Sequence, residues 1–343
     1  MTTMIGIDPH KATHTAVAID RDEQVLDELR VRASSSQMGR LRAWAAQFDE
    51  PAWAVESARG LGYLLAQQLV GAGETVFDVP PVLASRVRVL GSGHSQKNDP
   101  NDARSVAIAA LRSNRLTRVT TDDHAQVLRL FVKRHRDTAQ LRAKQIVRLS
   151  ALMCELRPGG IATKTTPRRA IELLESLPVT DEVTRTKVLI AGELLDDIAR
   201  LDAILKTSKT RIETAVTASG TSMCDIVGIG PICAATIIGY TGDIERFPTK
   251  AHFATYNATA PLEASSGGRT RHRLNPRGNR TLNFAIHIAA VVQIRTGGEG
   301  RGYYDRKIAE GKTNKEAIRA LKRRISDRVY THLVADARRA ATS

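Results

Sequence analysis

Met4-Ile5-Gly6-Ile7-Asp8-Pro9-His10-Lys11-Ala12-Thr13-His14-Thr15-Ala16-Val17-Ala18-Ile19-Asp20 is the stretch on which the reading of the fold turns. A short apolar run closes on Asp8, a polar turn follows at His10-Lys11, and a second β-rich run closes on Asp20. Beyond a turn at Arg21-Asp22-Glu23, Gln24 to Val31 alternates apolar and polar residues with period two, as a half-buried strand does. A helix is expected from about Gln37 to Gln47, then the strand Trp53-Ala54-Val55-Glu56. Leu61 to Val70 places Leu64, Leu65, Leu69 and Val70 on one helical face and stops at Gly71-Ala72-Gly73. Glu74 to Val79 is a further strand, cut off by Pro80-Pro81, and helices from Val82 and from Asn101 complete a domain ending near residue 118. Three antiparallel strands followed by α-β-α-β is the order of a ribonuclease H-like α/β sheet.

Within that frame, four acids stand at the ends of elements. Asp8 and Glu56 each close a strand, while Asp99 and Asp102 lie in Lys97-Asn98-Asp99-Pro100-Asn101-Asp102-Ala103. An Asn or Asp ahead of the proline caps a new helix, and spacing of three puts both acids on one side of its first turn. Singly, an Asp after a strand is ordinary turn chemistry, and Asp-Pro-Asn-Asp an ordinary cap. Together, carboxylates converging from strand ends and a helix start offer the hard oxygen ligands that Mg²⁺ requires. Paired ions of that kind stabilise the attacking and leaving oxygens of a phosphodiester displacement.

The charge points the same way. Across 343 residues, 51 Lys and Arg face 36 acids, a formal charge of +15, which favours a polyanionic partner. Aromatics are only 4% of residues, so phosphate contact rather than base stacking is the expected mode. The three cysteines, Cys154, Cys224 and Cys233, form no Cys-x-x-Cys pair and suit a reducing cytoplasm. No apolar stretch reaches the roughly 18–20 residues of a membrane span, no leader pattern opens the chain, and no phosphate-binding Gly-x-x-x-x-Gly-Lys-Ser/Thr loop is present.

The middle, 119–218, is helical. Val127, Leu130, Phe131, Ile146, Leu149, Leu152, Met153 and Leu156 recur at helical spacing until Arg157-Pro158-Gly159-Gly160 breaks the run. After a polar linker, Ala191, Leu194, Ile198, Leu201 and Leu205 form a heptad seam. Two such helices make either an antiparallel hairpin within one chain or a dimer-forming coiled coil. The last third, 219–343, is mostly helical. Ile226-Val227-Gly228-Ile229-Gly230-Pro231 is similar to a helix-hairpin-helix element, where Gly228 and Gly230 allow a tight turn whose N–H groups reach a phosphate. Helices are expected from roughly Gly278 to Ile294 and around Arg319, Lys322, Arg323, Arg324 and Arg328, the latter a solvated face or a DNA contact.

Between these helices, Ser265-Ser266-Gly267-Gly268 precedes Arg269, Arg271, His272, Arg273, Arg277 and Arg280. As composition this is a flexible polar loop. As chemistry it is a serine nucleophile with glycines admitting a DNA backbone and guanidiniums holding the phosphate. A serine hydroxyl needs an activating partner, and no hydrolase elbow or triad supplies one.

Gly6-Ile7-Asp8-Pro9-His10-Lys11, Glu56 after its strand, Lys97 to Ala103, Gly228-Ile229-Gly230-Pro231, Arg246-Phe247-Pro248, Ser266-Gly267-Gly268 and Arg277-Gly278-Asn279-Arg280 follow in one order. In that order they resemble the DEDD transposases of insertion-sequence family 110, which include the Piv DNA invertase. The resemblance covers nearly the whole chain. It implies a RuvC-like DEDD nuclease domain over 1–118, a helical coiled-coil linker and oligomerisation region over 119–218, and a transposase domain over 219–343. Carried onto this sequence, Asp8, Glu56, Asp99 and Asp102 become the ligands of Mg²⁺ (or Mn²⁺), and Ser266 the nucleophile that links covalently to DNA, with Ser265 adjacent. Arg269, Arg271, Arg273, Arg277, Arg280, Gly228 and Gly230 become DNA-binding residues. The partners implied are the element's DNA ends and target, a structured bridge RNA that chooses them, and further copies of the chain, in a bacterial cytoplasm. The chain departs from the family at Tyr256-Asn257-Ala258-Thr259-Ala260-Pro261, where a Gly-Leu-Ala-Pro turn is usual. Two other readings stand beside recombination. One is a structure-selective nuclease in which water attacks. The other is a non-catalytic nucleic-acid binder whose acids are caps.

Overall fold

The computed structural model describes residues 3–92, 98–113, 116–162, 165–263, 272–273 and 278–342, and the chain divides into two compact units, 1–122 and 123–343. The first opens with an antiparallel meander, β1 (Met4–Pro9), β2 (Thr13–Ile19) and β3 (Val25–Arg32). There follow α1 (Gln37–Ala45), β4 (Ala52–Glu56), α2 (Tyr63–Gly71), β5 (Val76–Val79), α3 (Pro81–Ser92), α4 (Asp99–Arg112) and the short β6 (Thr117–Arg118). The sheet order is β3-β2-β1-β4-β5-β6, with β1, β4 and β5 mutually parallel and β6 antiparallel. This is the ribonuclease H-like arrangement that the strand order announced.

Side-chain alternation along the strands builds two layers. Ile5 and Ile7 of β1 and Trp53 and Val55 of β4 pack with Leu41, Leu65 and Leu69 from α1 and α2. The intervening positions, Met4 of β1 and Ala52 and Ala54 of β4, pack against Ala103, Val106, Ala107 and Ala110 of α4. Gly6 shares that second face. A Cβ built on it would lie 2.1 Å from the Ala103 carbonyl oxygen and 2.5 Å from the Ala107 nitrogen. Glycine therefore allows α4 to lie directly on the β1 backbone, the close approach a strand glycine commonly marks.

In the second unit, α5 (His124–Leu156) and α7 (Glu182–Ala218) run antiparallel. His135 Nδ1 meets Ser208 Oγ at 3.2 Å, Arg142 Nη2 donates to Asp202 Oδ2 at 3.1 Å, and Lys187 Nζ pairs with Glu155 at 2.9 Å. The heptad seam thus packs within one chain. The stretch expected as a polar linker contains a helix, α6 (Pro167–Glu175), capped by Thr166 and burying Ala170 and Leu174 one turn apart. The Thr-Pro start was a legible N-terminal signal, masked by a helix of only nine residues.

A 3₁₀ turn (Met223–Asp225) leads to α8 (Pro231–Thr241), α9 (Lys250–Tyr256), the two-residue strands β7 (Leu262–Glu263) and β8 (His272–Arg273), then α10 (Arg280–Thr296), α11 (Glu299–Ala309) and α12 (Asn314–Thr342). The core here joins Leu128 and Val132 of α5 and Ile212 and Val216 of α7 to Phe253, Leu282, Ile286, Leu321, Ile325 and Val329. The bases of the long helices accordingly belong with the C-terminal helices, and the helical middle expected as 119–218 is part of one unit that starts at Asp123.

Candidate metal centre

Because β1 and β4 are parallel neighbours, with Ile7 opposite Val55, their last residues meet at one edge of the sheet. Asp8 lies two residues past Gly6, and Glu56 two past Ala54, so alternation turns both carboxylates to the face that α4 covers. Helix α4 starts at that edge. Asn98 caps it, accepting from Asn101 N at 2.8 Å, and the helix begins at Asp99, two residues before the expected start. Asp99 and Asp102 both fall in the first turn, where the helix dipole favours negative charge.

The four carboxylates come together. Asp8 is only 5% exposed, and its pKa is raised, first by burial and then by the charges of Asp102 and Asp99, against the lowering influence of His10. Glu56 is likewise raised by burial, by the charges of Asp8 and Asp102, and by a hydrogen bond to the Asp8 carboxyl. Such mutual repulsion is what a bound cation relieves. Three cationic or ionisable groups answer it in part. His10 Nε2 lies 3.1 Å from Asp8 Oδ2 and 3.4 Å from Asp99 Oδ1, Arg30 of β3 pairs with Asp99 at 3.3 Å, and Arg88 of α3 pairs with Asp102. Ligand atoms of Asp8, His10 and Asp99 all lie within 4.8 Å of one another, a grouping able to hold a metal ion. The hard oxygen donors fit a divalent cation of the Mg²⁺ type. An open cavity of about 440 Å³ adjoins the site, lined by Thr15, Glu28, Arg30, Asn98 and Asp99.

Sequence reading missed His10 as a neighbour of the acids, and Gly6, Arg30 and Arg88 as the groups that seat or balance them. A glycine inside an apolar strand was the available signal for Gly6, whereas Arg30 and Arg88 depend on tertiary pairing.

The second constellation is described only at its margins. Ser265, Ser266, Arg269, Arg271 and Arg277 lie outside the described residues. Arg273 is in β8, whose backbone pairs with Leu262 of β7, and Arg280 is exposed at the first position of α10. Gly228 has φ +86°, and a Cβ on it would stand 2.7 Å from the Ala289 carbonyl oxygen of α10, so its glycine is required by packing. Gly230 is the exposed N-cap of α8. Lys322, expected on a solvated or DNA-facing surface, is instead buried.

A ribonuclease H-like sheet carrying clustered acids at its parallel edge defines the fold class, with a site able to hold a divalent cation. The comparisons narrow it. Residues 5–158 match the family model described as a transposase of the DEDD IS110 type, and residues 221–305 match the transposase family IS116/IS110/IS902. The chain belongs to this family of insertion-element transposases. It is 27% identical over 375 residues to the 44.8 kDa protein of insertion element IS116 from Streptomyces clavuligerus, covering 96% of this chain and 94% of that one. To the 42 kDa protein of IS900 from Mycobacterium paratuberculosis it is 25% identical over 369 residues, covering 93% and 92%. Among solved structures, Thermus thermophilus RuvC is similar at 18% identity, covering 34% of this chain and 99% of that chain with a TM-score of 0.26. No helix among the described residues is long and apolar enough to cross a membrane.

Proposed function

We infer that the protein is a site-specific DNA recombinase that moves its insertion element by serine attack on a phosphodiester. The observation that carries this reading is the meeting of Asp8, Glu56, Asp99 and Asp102 at one sheet edge, in a chain with a formal charge of +15. These four carboxylates would hold Mg²⁺ or Mn²⁺, and the bound ion would supply Lewis-acid stabilisation of charge developing at a phosphodiester. Ser266 is the nucleophile. Its Oγ gives up a proton and bonds to phosphorus while the bond from phosphorus to a deoxyribose oxygen breaks, and that oxygen takes up a proton. A DNA–serine phosphodiester results, in which the ester count at phosphorus is conserved, so rejoining to another strand needs no ATP.

Arg269, Arg271, Arg273, Arg277 and Arg280 bind the scissile phosphate and offset its growing charge, and Gly228 and Gly230 present backbone N–H groups to a neighbouring phosphate. A structured RNA encoded by the element selects donor and target, and the protein works as a homo-oligomer in the bacterial cytoplasm. Incubation with Mg²⁺, element-junction DNA and RNA from the element's flanks tests the reading. An SDS-stable protein–DNA adduct that disappears in Ser266→Ala supports it. Cleavage without any adduct, insensitive to that substitution, overturns it in favour of a metal-dependent nuclease using water.

A further inference from the structure

The cavity beside the acids is lined by a polar group that the sheet itself does not need. Asp8 of β1 stands opposite Thr15 of β2, and Thr15 opposite Arg30 of β3. Directly opposed residues project to the same face of a sheet, so these three form a row on the side that α4 covers. The row leads from the metal centre to the edge strand. At about 4.8 Å per strand, the backbones at its two ends stand about 10 Å apart. Asn98, Asp99 and Pro100, where α4 starts, close the cavity over this row, and its volume is about 440 Å³.

Thr15 is 3% exposed, and its Oγ1 is buried with no hydrogen-bond partner among the described residues. An unpaired buried hydroxyl is destabilising. Valine has the same shape and an equal preference for strands, and would fill the position without that cost. Packing therefore gives no reason for threonine here, whereas a ligand entering the cavity does. Arg30 is the cation at the end of the row. Its side chain is 65% exposed and meets Asp99 through Nη2 at 3.3 Å, while a guanidinium offers five donors in a planar fork suited to phosphate. Glu28 also lines the cavity. It precedes Arg30 by two residues on the same face, further from the sheet edge where the acids meet. Its carboxylate disfavours a phosphate at that end and presents an acceptor to a neutral group. A cavity of this size holds a small organic molecule, more than a lone phosphate requires.

We propose that this cavity is a nucleotide subsite, in which Thr15 Oγ1 and Arg30 bind the phosphate next to the one at the metal centre while the attached nucleoside lies towards Glu28. Two consecutive phosphates held in this way keep the strand from sliding past the acids. The subsite rests on the reading of the acids as a metal centre acting on phosphodiesters, and is independent of which group is the nucleophile.

Binding of thymidine 5′-phosphate and of a 5′-phosphorylated dithymidine dinucleotide to the full chain in saturating Mn²⁺ tests it, since only the dinucleotide offers a second phosphate. Wild type binds the dinucleotide about tenfold more tightly or better, as a charge-assisted contact provides. Thr15→Val and Arg30→Gln each reduce that preference to about threefold or less. Without nucleotide, Thr15→Val melts at no lower a temperature than wild type. A lower melting temperature makes the hydroxyl a structural group and overturns the assignment. An undiminished preference in either folded variant, or equal affinity of wild type for the two nucleotides, overturns the subsite and leaves the metal-centre reading intact. Failure of wild type to bind either nucleotide in a Mn²⁺-dependent way overturns the metal-centre reading and the subsite with it.

Discussion

Gly6→Ala isolates what places the acids. The new methyl carbon would sit 2.1 Å from the Ala103 carbonyl oxygen, 2.5 Å from the Ala107 nitrogen and 2.8 Å from the Ala107 Cβ. Two of these atoms are helix backbone, which cannot rotate aside, so α4 must retreat from β1 by about 1 Å, at a cost near the upper end of the ~1–3 kcal/mol typical of overpacking. For a unit of this size that lowers Tm by roughly 10 °C. The consequence for the site is larger in kind. Asp99 and Asp102 ride on α4 while Asp8 ends β1, and metal–ligand distances tolerate only about 0.2 Å. Wild type at a Mg²⁺ concentration of about 100 times Kd gains about 2.7 kcal/mol by mass action. Gly6→Ala should lose most of that gain even at temperatures where it is fully folded. Thermal denaturation and Mn²⁺ titration calorimetry of both proteins measure the two effects separately. A variant that keeps the wild-type Tm and the wild-type ion affinity would refute the argument that the β1–α4 approach sets the site.

Asp8→Asn should stabilise the ion-free protein near neutral pH and abolish metal-dependent activity together, as read by thermal denaturation and adduct formation. The sign follows from the raised pKa values of Asp8 and Glu56. The folded state holds these protons more tightly than the unfolded chain, so stability is fully present below the unfolded carboxylate values and declines as pH rises through the folded ones. The ion-free first unit should accordingly lose stability from about pH 4 upward, and saturating Mg²⁺ should flatten that decline in pH-dependent melts. Ala258→Gly, which restores the residue type usual in the family turn, should raise stability by about 1 kcal/mol by removing left-handed strain, measured by urea denaturation. Arg88→Ala removes the cation paired with Asp102, and should strengthen the dependence of Tm on Mg²⁺.

The sheet was legible because its signals are local. Period-two alternation from Gln24 to Val31, the Gly71-Ala72-Gly73 stop and Pro80-Pro81 each mark an element without reference to any other, and the observed β3, α2 and β5 follow them. Asp8, Glu56, Asp99 and Asp102 were legible for the same reason, since each stands at an element's end. What the sequence hid is what only folding brings together. His10 reaches Asp99 across 89 positions of chain, and Arg30 reaches it from the third strand. Lys322 reads as one more charge in a basic helix until packing buries it, because the pattern Lys322-Arg323-Arg324 says nothing about which charge faces Asn283.

The placement of these groups also explains a cost that the fold carries. Asp8 is buried beside three other carboxylates, an arrangement that a stability-optimised sheet edge would not contain. Asp8 and Glu56 have raised pKa values first through burial and then through the neighbouring carboxylates, with His10 countering the rise at Asp8 and Arg88 at Glu56. Residual repulsion of that sign is unfavourable for folding and favourable for capturing a divalent cation, because the ion relieves it on binding. The same surface charges that pair with the acids in the ion-free chain would be released towards the phosphate backbone once a cation takes their place. Arg30, about two-thirds exposed beside the cavity at Asp99, is best placed to change partners in this way. Arg30→Ala should therefore weaken DNA binding more in the presence of Mg²⁺ than in EDTA, and equal weakening in both conditions would sink the exchange.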